Sequence, residues 1–217
     1  MKRRDFSLQL AGGGLGLGLA LAGNGALAQA QPVEGTNYVK LSQRAPVSAP
    51  AGKIEVVEFF WYGCPHCNAF EPALDAWAKK LPADVAFRRV PVGFTATHVA
   101  HQKLFYALEA MNQLEPMHRR VFAAMHVQNQ RLTKDDEILA FVKANGLDEA
   151  KFQELYKSFS VQTKATQAKR LSEEYRIDGV PALGVQGRFY TSGALAGSNE
   201  RSLAVANYLI QQVRAGA

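Results

Sequence analysis

The chain contains two cysteines, Cys64 and Cys67, which are separated only by Pro65 and His66. Two thiols at this spacing can form and break a disulfide with each other, or can supply two sulfur ligands to a metal ion. A disulfide that closes so small a loop removes little entropy from the unfolded chain, so it stabilises a fold only weakly. The spacing therefore favours redox chemistry over a structural bridge.

A change of pattern places these cysteines at the start of a helix. Residues 54–61 are mostly β-branched or aromatic, as in a strand buried on both faces of a sheet, and Pro65 suits the first position of a helix. Cys64 would then meet the unpaired N–H groups and the positive end of that helix, which favour the thiolate. A protonated His66 would add a positive charge. A stabilised thiolate is a good leaving group, so the pair is predicted to donate its disulfide.

A metal-carrying site, for copper or zinc, is the alternative for the cysteine pair. A histidine would have to complete it, and the candidates are His98, His101, His118 and His126. The sequence has no second Cys-x-x-Cys and no paired ligand spacing, which disfavours tetrahedral zinc in particular. We therefore predict no metal site.

The order of the remaining elements predicts an α/β fold. A helical pattern over residues 65–81 leads to a second apolar strand at residues 85–92, which completes a βαβ unit. Residues 97–160 show helical patterns and no convincing strand. Two short strands around Gly187 and an amphipathic closing helix follow. Two halves of an α/β fold are thus predicted to flank an all-helical insertion.

The first 30 residues have the pattern of an export signal. Residues 2–4 are basic, residues 6–33 carry no charge, and small-residue patterns allow cleavage after Ala28 or Ala30. The adjacent arginines followed by Phe6 resemble a twin-arginine signal. An uncleaved membrane anchor is the alternative, because the uncharged run is long enough to span a bilayer, but several glycines lower its hydrophobicity.

Composition and charge favour one globular domain and argue against a nucleic-acid-binding protein. A chain of 217 residues, 47% hydrophobic and 20% charged, can bury its own core as one domain with an insertion. Three of its 25 basic residues and one of its 19 acidic residues lie in the export signal, so removal of the signal lowers the net charge from +6 to +4. The basic pairs, which begin at Lys79, Arg88 and Arg119, lack interleaved aromatics and are interpreted as solvated surface. No nucleic-acid partner is predicted.

Two stretches resemble the DsbA family of the thioredoxin superfamily. Residues 57–71, which include Cys-Pro-His-Cys, are similar to the active-site strand and helix of that family, and residues 179–182 (Gly-Val-Pro-Ala) resemble its second signature. The resemblance implies a thioredoxin fold interrupted by an all-helical insertion. The expected divisions are a signal peptide (1–30), an arm with a short strand (31–52), the first part of the thioredoxin-like domain (53–96), the helical insertion (97–160) and the second part (161–217).

The same resemblance implies a role for each signature residue. Cys64 would be the exposed cysteine that forms mixed disulfides, and Cys67 would be its shielded partner. Val180 and Pro181 would form a cis peptide that faces the cysteines and contacts substrate. The expected catalytic set is Cys64, Cys67, His66, Pro65 and Glu58.

Two acids need separate interpretations. Glu58 matches the buried carboxylate of the family, and a buried carboxylate with a raised pKa could relay protons; a solvent-facing residue at a strand end is the alternative. Glu71 matches a second acid but is expected on the surface of the helix. Family members often carry bulkier side chains where this chain has Tyr62 and Gly63, which leaves the shape of the peptide groove open.

The predicted function is that of a periplasmic, monomeric dithiol oxidase. It would pass its disulfide to unfolded exported proteins with free thiols, and a DsbB-like, quinone-linked membrane oxidase would restore that disulfide. No cofactor beyond the two cysteines is expected. An isomerase or reductase on the same fold is the alternative, although a dedicated isomerase would need a dimerisation arm and the residues before Lys53 are too few for a separate domain.

Overall fold

A central β-sheet organises the part of the chain that a computed structural model describes, residues 31–216. The predicted export signal, residues 1–30, lies outside the described residues. Within residues 31–216, every helix is too short or too polar to cross a bilayer.

The sheet of the described region has five strands in the order β1-β5-β4-β2-β3. Their bounds are β1 Val39–Lys40, β2 Ile54–Phe60, β3 Val85–Pro91, β4 Ala182–Val185 and β5 Phe189–Ser192. Strand β2 pairs in parallel with β3, and the other neighbours are antiparallel. All seven residues of β2 are buried, because helices cover both faces of the sheet at its centre.

Eight helices accompany the sheet in residues 31–216. They are α1 Pro65–Ala78, α2 Ala96–Ala110, α3 Leu114–His126, α4 Asp135–Ala144, α5 Glu149–Lys157, α6 Phe159–Glu174, α7 Gly193–Ala196 and α8 Asn199–Arg214. Helix α1 connects the parallel strands β2 and β3, and α2 to α6 separate β3 from β4 without an intervening strand. The predicted α/β fold with a helical insertion is therefore confirmed. The division at residues 96 and 160 stays a prediction; residue 160 lies in the first turn of α6.

The arm before β2, expected at residues 31–52, is attached to the edge of the sheet. Its strand β1 pairs Val39 with Tyr190 on β5. Farther along, the backbone N–H of Ala45 donates to the carbonyl oxygen of Gly187 at 2.8 Å. Gly187 has φ +64° and a Cβ there would collide with the Ala45 carbonyl, so this turn favours glycine.

Candidate active site

Cys64 is the N-cap of helix α1, directly after the loop that follows β2. Its backbone is extended (φ −85°, ψ 116°), and Pro65 occupies the first helical position, where its missing N–H costs nothing. The backbone N–H of Cys67 donates to Sγ of Cys64 at 3.4 Å. Cys64 keeps 7% of its surface exposed and Cys67 keeps none, so of the two free cysteines only Cys64 is accessible to solvent.

The surroundings of the two thiols separate their acidities. Hydrogen bonds from Cys67, and lesser contributions from the backbone and charge of His66, lower the pKa of Cys64 to about 6 despite partial burial. Burial raises the pKa of Cys67 far above its ordinary value, and the adjoining Cys64 and the negative charge of Glu58 raise it further. At neutral pH the pair is therefore one thiolate and one thiol.

The Val180–Pro181 peptide bond is cis, as the resemblance implies. Its Val180 carbonyl oxygen lies 3.4 Å from Sγ of Cys64 and accepts a hydrogen from that sulfur when it is protonated. A groove of about 440 Å³ begins here and runs from the exposed His66 past Val180 and Pro181 to Tyr190. This groove could hold an extended peptide beside the reactive sulfur.

Trp61 takes up the space that a bulky residue at position 63 would need. Its indole lies so close to Gly63 that a Cβ there would collide with the ring. The ring also lies 4.3 Å from the His98 ring, centroid to centroid, and its Nε1–H donates to Nδ1 of His101 at 2.8 Å. The Trp61 ring therefore occupies the space next to position 63, because Gly63 has no side chain that would exclude it.

The two acids of the family resemblance are both fully buried. Glu58 lies on β2 opposite Arg89 of β3, and the two side chains approach to 3.1 Å. Glu71 accepts from Arg89 at 3.1 Å and from His118 at 3.2 Å. The surface position expected for Glu71 is wrong, since a guanidinium neutralises it and an imidazole hydrogen-bonds it inside the protein. Asp75 is a further partner of Arg89.

The pKa values of the two carboxyl groups shift in opposite directions, although both groups are buried. Burial raises the pKa of Glu58 well above its ordinary value, and the negative charge of Glu71 raises it further against the opposing charge of Arg89. Burial also raises the pKa of Glu71, but the hydrogen bond and the charge of His118, together with the charge of Arg89, lower it below the ordinary value. Two carboxyl groups beside one arginine thus have pKa values shifted in opposite directions, a pattern typical of acid–base sites.

The sequence interpretation missed the cluster that holds these acids. Arg89 was expected on the surface, yet only 14% of its side chain is exposed. Tyr62 and His118 are buried and hydrogen-bonded to each other at 2.9 Å. One usable signal was the position of Glu71 three residues before Leu74, which places it on the buried face of the helix.

The histidines of the metal alternative have other partners. His101 accepts from Trp61, His118 contacts Glu71, and Nε2 of His126 lies 2.8 Å from the Tyr62 carbonyl oxygen. In the described part of the chain, no three histidine, cysteine or acidic side chains are arranged to hold a metal ion. The geometry gives the metal-carrier hypothesis no support.

Comparisons with known proteins agree on one family. The DSBA-like thioredoxin domain model matches residues 55–201. The chain is 42% identical over 191 residues to the thiol:disulfide interchange protein DsbA of Burkholderia cepacia, across 87% of this chain and 90% of that protein. It is 43% identical over 194 residues to that of Pseudomonas aeruginosa, across 89% and 92%. The crystal structure of Pseudomonas aeruginosa DsbA superimposes with a TM-score of 0.80 over 84% of this chain and 94% of that chain, at 43% identity. Reduced DsbA1 from Neisseria meningitidis gives 0.75 over 87% and 98%, at 29% identity.

Proposed function

Because the chain belongs to the DSBA-like thioredoxin family, we propose that it oxidises exported polypeptides by donating the Cys64–Cys67 disulfide to their free thiols. Family membership confirms the resemblance predicted from the sequence. The chain is a thiol-disulfide oxidoreductase, like the DsbA proteins with which it shares 42% to 44% of aligned residues. The direction of exchange, the substrates and the residue roles are the content of the proposal.

The stabilised thiolate at Cys64 carries this proposal. With a pKa of about 6, Cys64 is mostly deprotonated at pH 7, and a thiol with a low pKa leaves a disulfide readily. The N–H of Cys67 and the helix N-terminus stabilise the charge that develops on the sulfur. Reduction of the disulfide is thereby favoured, so the oxidised protein transfers its bridge to other thiols.

The exchange proceeds in two balanced steps. A substrate thiolate attacks Sγ of Cys64, forms a mixed disulfide and displaces Cys67, which takes up one proton. A second substrate thiolate then attacks the substrate sulfur of the mixed disulfide and releases the Cys64 thiolate. The substrate loses two electrons and two protons, the protein gains two electrons, and at neutral pH one proton stays on Cys67 while the other enters the solvent.

Glu58 is the proposed source of the proton for Cys67. It is fully buried, its charge acts on Cys67, and its pKa is raised by burial. A buried carboxyl group with a raised pKa can protonate the leaving thiolate and then take up a proton released by the substrate. The cis Val180–Pro181 peptide and the exposed side chains of Pro65 and His66 would contact the substrate backbone beside the reacting sulfur.

The cellular setting follows from the family and the N-terminal pattern. We place the mature protein in the periplasm as a monomer, exported by residues 1–30 through a route of twin-arginine type. A DsbB-like, quinone-linked membrane oxidase would return the electrons to the membrane. The exchange needs no bound metal or nucleotide, since the two sulfurs carry both electrons.

Equilibration of the purified protein with glutathione redox buffers tests the direction of exchange. The proposal expects the Cys64–Cys67 pair to be far more oxidising than glutathione, so that reduced protein predominates in buffers that keep most glutathione reduced. A pair as reducing as that of thioredoxin would instead favour the reductase alternative. A Cys64→Ala variant is the control that assigns the titrated thiols to this pair.

A further inference from the structure

Glu58 and Glu71 both lie beside the guanidinium of Arg89, but only Glu71 accepts a hydrogen bond from it. Nη2 of Arg89 donates to Oε2 of Glu71 at 3.1 Å and also to Asp75. Nε of Arg89 lies 3.1 Å from Oε2 of Glu58. Yet among the described residues neither Glu58 oxygen nor Nε of Arg89 has a hydrogen-bond partner of acceptable geometry. Arg89 therefore hydrogen-bonds the two carboxylates of α1, Glu71 and Asp75, whereas Glu58 lies near the positive charge of Arg89 without hydrogen-bonding to it.

His118 is a second hydrogen-bond partner of Glu71 and adds to the difference between the two acids. Its Nε2 lies 3.2 Å from Oε1 of Glu71 and its Nδ1 lies 2.9 Å from the Tyr62 hydroxyl. A carboxylate can only accept, so Nε2 carries a hydrogen and donates it to Glu71. The buried hydroxyl of Tyr62 has no other hydrogen-bond partner within residues 31–216, so its bond to Nδ1 fixes the orientation of the imidazole ring. Tyr62 thus aims the Nε2–H of His118 at Glu71.

We propose that His118 is a positioning residue for thiol–disulfide exchange, whose Nε2–H donates to Glu71, holds that carboxylate on Arg89 and leaves Glu58 as the proton-exchanging acid beside Cys67. The inference rests on the proposed role of Glu58 and deepens it. His118 is 4% exposed, and it acts through Glu71 and Arg89 without touching the sulfurs.

The remaining charged groups on this side of the protein border water. They are Asp75 and Lys79 of α1, Arg88 of β3, Glu109 of α2 and Glu115 of α3. These groups line an open cavity of about 490 Å³ that also reaches Arg89 and His118. Water screens exposed charges, so the buried contacts of His118 with Tyr62 and Glu71 dominate its effect on the two carboxyl groups.

Carboxyl NMR titration of protein labelled with ¹³C-glutamate measures the two acids separately, with Glu58→Gln and Glu71→Gln as assignments. In the unmodified protein the midpoint of Glu58 is expected above that of Glu71. In His118→Phe the donor to Glu71 is lost and Arg89 is freed to bind Glu58. The two midpoints should then converge, and that of Glu58 should fall by about one pH unit or more. Unchanged midpoints in folded His118→Phe would overturn the proposal.

Two amide variants keep the test decisive if His118→Phe does not fold. The amide of His118→Gln corresponds in reach to Nε2 and can still donate to Glu71, although it cannot be protonated. The shorter amide of His118→Asn corresponds to Nδ1 and reaches only Tyr62. We expect His118→Gln to keep the separation of midpoints and His118→Asn to lose it; equal behaviour of the two would refute the donor role of Nε2.

His101→Phe is the matched control. His101 is also buried (1% exposed) and makes two hydrogen bonds, to Trp61 and to the Arg131 carbonyl oxygen, but it contacts no carboxylate. Its replacement should leave both carboxyl midpoints in place. Mixed-disulfide formation through Cys64 should survive in every variant, so its absence would contradict the proposed function, whereas unmoved midpoints alone contradict only the role of His118.

Discussion

The carbonyl oxygen of Val180 lies 3.4 Å from Sγ of Cys64 and accepts its thiol hydrogen. This contact stabilises the thiol and opposes the thiolate, which cannot donate, so the loop just before strand β4 and helix α1 act on the same sulfur in opposite directions. The balance of the two sets how readily Cys64 leaves a mixed disulfide. Residues next to Val180 should therefore tune exchange without belonging to the cysteine motif.

Val180→Thr is expected to slow substrate release or shift the redox potential while the protein stays folded. A hydroxyl next to the sulfur adds one hydrogen-bonding group, worth about 1 kcal/mol or roughly fivefold in rate. Stopped-flow exchange kinetics and glutathione equilibria measure the two effects. Val180→Ile keeps an apolar branched side chain and is the control; a threonine variant that matches it in both measurements would remove Val180 from the site.

Cys67→Ala should accumulate mixed disulfides with exported proteins through Cys64. The buried thiol of Cys67 is the internal group that can attack the mixed disulfide and release a stalled substrate. Non-reducing gels, followed by mass spectrometry of the adducts, detect the trapped species. The double variant with Cys64→Ala should show none, and adducts that persist in it would contradict attack at Cys64.

Glu58→Gln should slow the reaction with substrate thiols and raise stability at neutral pH. Glutamine cannot protonate Cys67, which explains the slower exchange. A carboxyl group whose pKa is raised by folding gives a stabilisation that is complete below its unfolded pKa, near 4.3, and that is lost as the pH rises through the folded pKa. The stability gain of Glu58→Gln should therefore appear near pH 7 and vanish near pH 4 in urea titrations. A gain that is independent of pH would mean that Glu58 does not titrate on folding.

The sequence predicts the position of the reactive pair better than the cluster beneath it. A continuous apolar strand followed by Pro65 fixes the strand-to-helix junction through local preferences alone. The pairing of Glu58 with Arg89 depends on the register of β2 against β3, which a strand buried on both faces does not encode in its alternation. His118 reaches Glu71 from a helix 47 residues away. Contacts of that separation follow from tertiary packing and leave no periodic signal.

Arg89→Met should destabilise the protein strongly, by about 3–5 kcal/mol, because it leaves Glu71 buried without its guanidinium. Urea unfolding at pH 7 measures the loss. Arg214→Met is the matched control: Arg214 binds Asp84 at 2.7 Å through an exposed ion pair, and such pairs contribute little. Equal losses in the two variants would contradict the structural role of Arg89. Acid should narrow the gap, since protonated carboxyl groups no longer need the arginine.

The reduced protein should be more stable than the oxidised protein at neutral pH, which is the reverse of a structural disulfide. Folding lowers the pKa of Cys64 to about 6, from an unfolded value near 8.5. A lowered pKa gives a stabilisation that is complete above the unfolded pKa and disappears as the pH falls through the folded one. At pH 7 the two values give about 1.4 kcal/mol, and near pH 4 almost nothing.

The oxidised protein has no thiolate, so it cannot gain this stabilisation. In the cycle that links folding with reduction, a disulfide that destabilises the fold is one that oxidises other thiols, because both statements describe the same free-energy difference. Urea titrations of the two forms at pH 7 and pH 4 measure it directly. The difference between the forms should shrink by about 1.4 kcal/mol between these pH values, and Cys64→Ser should show no comparable dependence around pH 6. If the oxidised form is the more stable at pH 7, or if acid leaves the difference unchanged, then the thiolate at the N-terminus of α1 is not the source of oxidising power and the proposed direction of exchange is wrong.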